Sequence, residues 1–199
     1  MSIDRYQSVA PPAVLNLLIA NCVAFLATTL LDEQYTYGLF ALYPVNTPWF
    51  EIWQPVTYMF LHGDFSHLFF NMFALWMFGR GLEYDLGTKR FLIYYFVCGI
   101  GAGLVQLFTN GVTVGASGAV FGLLLAFGML HPNATIMLLI PPIPMKAKWF
   151  VVIYGLLELI FGVTGSFDSV AHYAHLGGMF WGWLLLLWWR HQDRKRFGY

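Results

Sequence analysis

The sequence predicts an all-α fold, a polytopic membrane bundle of six transmembrane helices whose first outer loop lies in the membrane interface. Three observations predict it. Of 199 residues, 59% are hydrophobic and 10% charged, against about 25% charged in soluble domains; most of this surface is not built for water. No charged residue stands between Arg90 and Lys146, and at ~20 residues per crossing that interval holds two crossings and a turn. The net charge of zero hides a segregation. With six spans, Arg5, Arg80, Lys89, Arg90, Lys146, Lys148, Arg190, Arg194, Lys195 and Arg196 all fall on one side. The positive-inside rule then places both termini in the cytoplasm.

The spans follow in order. The first, about 13–31, opens after Pro11-Pro12 and closes at Asp32-Glu33; proline suits a first helical turn, whose amides lack partners anyway. It is longer than the ~7–15 apolar residues of a signal-peptide core, so it reads as a span. The stretch 32–65 is rich in Pro, Trp and Tyr. It is too polar at its ends to cross and too oily to float, which fits the headgroup level. The second span, about 66–80, has Asp64 or Ser66 as its cap. The third is about 90–109, the fourth about 116–130, the fifth about 148–162 and the sixth about 171–190, with bounds good to ~2–4 residues. Pro132 and the "PPIP" at 141–144 end the fourth helix and form the next loop. Residues 1–199 read as one domain without a soluble appendage. Cys22 and Cys98 lie inside apolar runs and read as small core hydrophobes.

Spans two, four and six enter from the outer face, and their first turns are polar. Span two begins "HGDFSHLFFN", span four "GASG", span six "AHYAHLGG". Polar groups held at one depth in hydrocarbon mark a site. His67 and Asn71 share a helix face at i, i+4, as do Ser117 and Phe121. Gly118 and Gly122, like Gly178 and Gly182, have the small-xxx-small spacing that lets helices approach closely. If spans four and six pack through these faces, Ser117 and His175 become neighbours. An imidazole beside a hydroxyl suffices for nucleophilic acyl transfer. The oxyanion then needs donors, which Asn71, His67 and the Ser117 amide can supply. No carboxylate is plainly placed to orient the base, since Asp168 lies about two helical turns away. The expectation is a dyad, without cofactor or metal.

"GASG" in span four, "HLFFN" in span two and "AHLGGMFWG" in span six, together and in this order, closely resemble the rhomboid family of intramembrane serine proteases. The resemblance covers nearly the whole chain. It implies that Ser117 is the nucleophile, His175 the general base, and His67, Asn71 and the Ser117 amide the oxyanion hole. Gly115 would open the turn that admits substrate backbone, and Gly178 and Gly182 would let span six pack on span four. Phe121 stands where the family places an aromatic ring against the imidazole. The implied substrates are transmembrane helices of other proteins, cut near the outer face. Many members carry Trp-Arg in the first outer loop; here it reads Trp53-Gln54. The minimal layout resembles the prokaryotic branch, which implies a bacterial inner membrane with the site toward the outer leaflet.

Plainer readings stand beside these. Ser117 can be a small packing residue and His175 a satisfied interior histidine. His172 and His175, with His62 and His67, form a possible metal constellation, though that leaves the glycine-flanked serine unexplained. His62 and His172 otherwise read as cavity-lining polarity that admits water. Glu158, deep in span five, reads as a protonated acid bonded to a neighbouring helix or to Tyr154. In "GVTGSFDSV", 162–170, Gly162 and Gly165 read as hinges with Phe167 as a plug. "RHQDRKR" at 190–196 reads as a headgroup anchor rather than a nucleic-acid patch. Rival functions are a catalytically silent client-binding relative, and a transporter or metal-dependent hydrolase.

Overall fold

A computed structural model describes residues 11–109, 111–137, 142–165 and 171–197. The helices in chain order are α1 (Pro12–Leu30), α2 (Glu33–Phe40), α3 (Gln54–Thr57), which runs into a 3-10 turn (Tyr58–Phe60), α4 (Phe65–Leu86), α5 (Thr88–Gln106), α6 (Ser117–Leu130), α7 (Ala147–Thr164) and α8 (His172–Phe197). Two short strands, β1 (Thr135–Met137) and β2 (Pro144–Lys146), pair antiparallel between α6 and α7. The chain is thus a helical membrane bundle. By length and composition, α1, α5 and α7 can cross a membrane, and α6 is a shorter apolar helix of 14 residues.

The helices outrun the apolar segments that announce them. α4 continues to Leu86 and α8 to Phe197, beyond expected ends at 80 and 190. Hydropathy reports the apolar stretch alone, whereas backbone hydrogen bonding carries the helix on through the polar residues that follow. The extra turns of α4 have a purpose. Glu83 is buried and accepts from the amides of Ala13 and Val14 at 3.0 and 2.8 Å, and from the Thr88 hydroxyl at 2.7 Å. Pro11 offers α1 no side-chain cap, so a carboxylate from α4 satisfies its first-turn amides and complements its dipole. The β1–β2 pair was not foreseen, because Pro144 lies in β2 and proline is admitted to a strand only at an edge or an end.

α6 is the centre. Gly118, Ala119, Val120, Gly122, Leu123, Leu124, Ala126 and Gly128 are all buried, and α5, α8, α4 and α7 pack around it. The expected close approach of α6 and α8 is present at Gly178, where an added Cβ would lie 2.7 Å from the carbonyl carbon of Gly118. Gly182 serves differently from expectation. It faces Tyr94 and Cys98 of α5, where a Cβ would lie 2.9 Å from the Cys98 sulfur. Cys98 is a core residue, but Cys22 is exposed on α1 beside Leu15, Ile19, Val23 and Leu26, a face suited to lipid.

The segment after α1 is fastened to the bundle. Leu42 and Thr113 form an antiparallel bridge, and the Tyr58 hydroxyl donates to Gly99 O at 2.6 Å. Gln54 is fully buried; its Oε1 accepts from the Tyr43 amide at 3.2 Å and its Nε2 donates to Trp49 O at 2.9 Å. Trp53 Nε1 donates to Leu39 O at 3.0 Å. The neutral amide of Gln54 thus ties this loop to itself.

A serine–histidine pair at the end of a membrane cavity

Ser117 is the first residue of α6. The chain reaches it through Gly115, whose φ of 119° is open to glycine and rarely to other residues. Its amide donates to Tyr58 O at 2.9 Å, and a Cβ there would lie 2.7 Å from His67 Nε2. Glycine therefore serves twice, for the turn and for the room His67 occupies. Ser117 Oγ lies 2.9 Å from Nε2 of His175, in the first turn of α8. The His175 ring stacks on Phe121, one helical turn past Ser117, with centroids 4.1 Å apart and planes 8° apart. Two residues expected on one face of α6 thus hold the imidazole by its edge and by its flat side.

α4 supplies the opposite wall. Asp64 caps it, accepting from the His67 amide at 2.8 Å and from the Ser66 hydroxyl. The Ser66 hydroxyl first, then the His67 amide, hold the Asp64 carboxyl below its usual range. The Gly63 amide donates to His67 Nδ1 at 3.4 Å. That bond assigns the ring hydrogen to Nε2, the nitrogen turned toward Gly115. Asn71 Nδ2 donates to His67 O at 2.9 Å. His67, Asn71, Ser117 and His175 line one cavity of about 880 Å³, together with Phe70 and Met77 of α4 and Phe150 and Tyr154 of α7.

Three expectations change. His62 is 1% exposed and sits edge-on to His67, with ring centroids 5.1 Å apart. It does not line the cavity. Burial first, then the neighbouring His67, pushes its pKa down to about 4. His172 is buried too, and its Nδ1 lies 2.7 Å from Glu158 Oε2. Glu158 therefore pairs with α8, and Tyr154 is not its partner. The same oxygen lies 3.0 Å from His175 Nδ1, although the ring N–H is not aligned for a hydrogen bond. A carboxylate thus stands beside His175, where the sequence showed none plainly placed. Sequence reasoning missed it because 17 residues and a loop separate Glu158 from His175. The signal available was an acid facing a histidine-rich first turn at matching depth.

Donor atoms of Glu158, His172 and His175 lie within 4.8 Å of one another, as metal ligands do. Ligand atoms around one tetrahedral zinc with bonds of about 2.0–2.1 Å sit about 3.4 Å apart. The separations of 2.7 and 3.0 Å are hydrogen-bond spacing instead. Gly162 lies within α7, where its carbonyl accepts from the Tyr173 hydroxyl at 2.8 Å, and Gly165 ends α7 with a φ of 67°. Phe167 and Asp168 lie outside the described residues.

A helical membrane bundle with a serine and histidine in contact across two helix starts is the class that the fold and this site define. Residues 50–192 match the Rhomboid domain, and the chain belongs to the rhomboid family. It is 36% identical over 155 residues to RHOMBOID-like protein 5 of Arabidopsis thaliana, covering 75% of this chain and 47% of that protein. It is 35% identical over 138 residues to Rhomboid protein 1, mitochondrial, of Saccharomyces cerevisiae, covering 63% of this chain and 40% of that one. It is 27% identical over 191 residues to Rhomboid protease GlpG of Yersinia pestis, covering 94% of this chain and 66% of that protein. The chain thus spans between two fifths and two thirds of the length of these relatives.

Proposed function

We propose that the chain is an intramembrane serine endopeptidase that hydrolyses peptide bonds in or near transmembrane segments of other membrane proteins. The observation that carries this reading is the 2.9 Å approach of Ser117 Oγ to His175 Nε2 at the end of an apolar-walled cavity. Oγ attacks the scissile carbonyl carbon while its proton passes to Nε2. The oxyanion is met by the Ser117 amide, which has no intrahelical acceptor, and by His67 Nε2–H and the Asn71 amide. Collapse of the intermediate breaks the C–N bond, and the imidazolium returns the proton to the leaving amine. Water admitted through the cavity then repeats the sequence on the acyl-enzyme.

Further parts of the reading follow from the helices. α1, α4, α5, α6, α7 and α8 are the six crossings of one domain, with basic ends in the cytoplasm. At 1.5 Å per residue, the 14 residues of α6 cover about 21 Å of a hydrocarbon core about 30 Å thick. A helix that short, ending at the cytoplasmic face, starts below the outer surface and keeps Ser117 at that depth. The inner membrane of a bacterium fits this orientation, and the named relatives include mitochondrial and plant proteins.

The test uses purified protein in liposomes, a fluorophosphonate probe and a panel of tagged single-span substrates. Labelling and cleavage that both vanish in Ser117→Ala, and that persist in EDTA, support the reading. Cleavage that survives Ser117→Ala, or that EDTA abolishes, overturns it.

A further inference from the structure

We infer that Glu158 is the positioning residue of the base: its carboxylate, brought from α7 and steadied by His172, holds His175 with its hydrogen on Nδ1 and its lone pair toward Ser117, and offsets the charge the ring gains during attack. The inference rests on the serine-protease reading and adds a third member to the Ser117–His175 pair.

A neutral imidazole accepts at one nitrogen and donates at the other. For Nε2 to take the serine proton, Nδ1 must carry the hydrogen, and a buried N–H requires an acceptor. His175 is 7% exposed, and its Nδ1 has no aligned partner. Glu158 Oε2, itself on a residue 9% exposed, stands 3.0 Å away. Catalytic hydrogen bonds are often misaligned before substrate binds and tighten in the complex. His172, one turn before His175 on α8, fixes the same oxygen at 2.7 Å. Other elements bring no competing acid to the ring among the described residues. α6 offers the Phe121 face, α4 offers His67, whose Nδ1 faces Gly63, and α7 adds only Tyr154 to the cavity wall beside Phe150. During attack the proton moves from Oγ to Nε2 alone. The Nδ1 proton stays on the ring, shared with Glu158, and returns no charge to the carboxylate.

The experiment measures kcat and KM separately for the full chain in liposomes with Glu158→Gln and Glu158→Asp, together with thermal unfolding. Gln keeps the volume and loses the charge, whereas Asp keeps the charge and loses a methylene. Positioning by charge ranks activity Glu, then Asp, then Gln, with kcat of Glu158→Gln down about 10²-fold and KM within threefold. That drop is smaller than the ~10⁴ seen when the acid of a serine-protease triad becomes an amide, because Phe121 also holds the ring. A filler role would rank Gln above Asp, and that order overturns the inference, as does a kcat for Glu158→Gln above about a third of wild type. If Gln prevents folding, His172→Asn tests the same link. A kcat lowered about tenfold at unchanged KM is expected, and an unchanged kcat overturns it. Failure of the wild type to label at Ser117 would sink the protease reading itself, which these variants cannot mimic.

Discussion

Replacing Gly178 by alanine tests whether the approach of α6 and α8 sets the chemistry. The new Cβ would lie 2.7 Å from the carbonyl carbon of Gly118 and closer still to its oxygen, both of them backbone atoms that cannot rotate away. Ordinary contact begins at 3.4 Å, so the two helices must part by at least about 0.7 Å at this crossing. Ser117 and His175 sit one residue before Gly118 and three before Gly178, on the same two helices. An opening of that size added to their 2.9 Å separation takes the pair to about 3.6 Å, which is no longer a hydrogen bond. Misplacement on this scale costs about 10²-fold in rate, and overpacking costs about 1–3 kcal/mol of stability. The assay is cleavage of a single-span substrate in liposomes, with fluorophosphonate labelling rate and thermal unfolding measured on the same preparation. Gly178→Ala that labels Ser117 at more than a third of the wild-type rate would refute the claim that this contact sets the Ser–His distance.

Four further outcomes are expected. Phe121→Ala removes the ring stacked 4.1 Å from the imidazole and lowers kcat about tenfold, in keeping with about 0.5–1.5 kcal/mol for such a pair; Phe121→Tyr retains activity, and equal loss in both variants counts against stacking. Asn71→Ala lowers kcat about 10²–10³-fold with KM within a few-fold, since its amide has only to leave His67 O to meet the oxyanion; a pure KM effect would place Asn71 in binding. Glu83→Gln weakens the bonds to Ala13 and Val14 and lowers stability by about 1.5–3 kcal/mol, read as a lower unfolding temperature with catalysis per folded molecule unchanged. His62, normally titrating near 6.5 and here near 4, is a histidine whose folded form resists the proton. Its contribution to stability is therefore present above about pH 6.5 and lost as pH falls toward 4, by about 3 kcal/mol in all. His62→Phe should flatten that part of the stability curve, and an unchanged curve would show that other groups cause it.

The fold was legible where one physical signal dominated. Apolar length marked the helices, and α1, α5, α6 and α7 begin and end within three residues of the expected limits. The depth-matched polar turns and the glycine spacings brought Ser117 and His175 together on paper, and the structure places them in contact. What could not be read were relations between distant segments. Glu83 capping α1, Gln54 closing the outer loop and Glu158 reaching two histidines are each a polar side chain meeting a partner on another element. Nothing in local periodicity encodes the partner. Gly182 shows the same limit, because its spacing declares a close approach without saying which helix approaches.

α7 is the most loosely held of the central helices. Of its 18 residues only Ala147, Phe150, Val151 and Glu158 are buried, while Val152, Ile153, Leu156, Leu159, Ile160 and Val163 point outward. It forms one jamb of the cavity and carries the acid beside the base. Displacing α7 outward would draw Glu158 away from His175 and leave the ring held by Phe121 and Ser117 alone. A staple propping α7 away from α4 should therefore slow catalysis while leaving the Ser117–His175 contact in place.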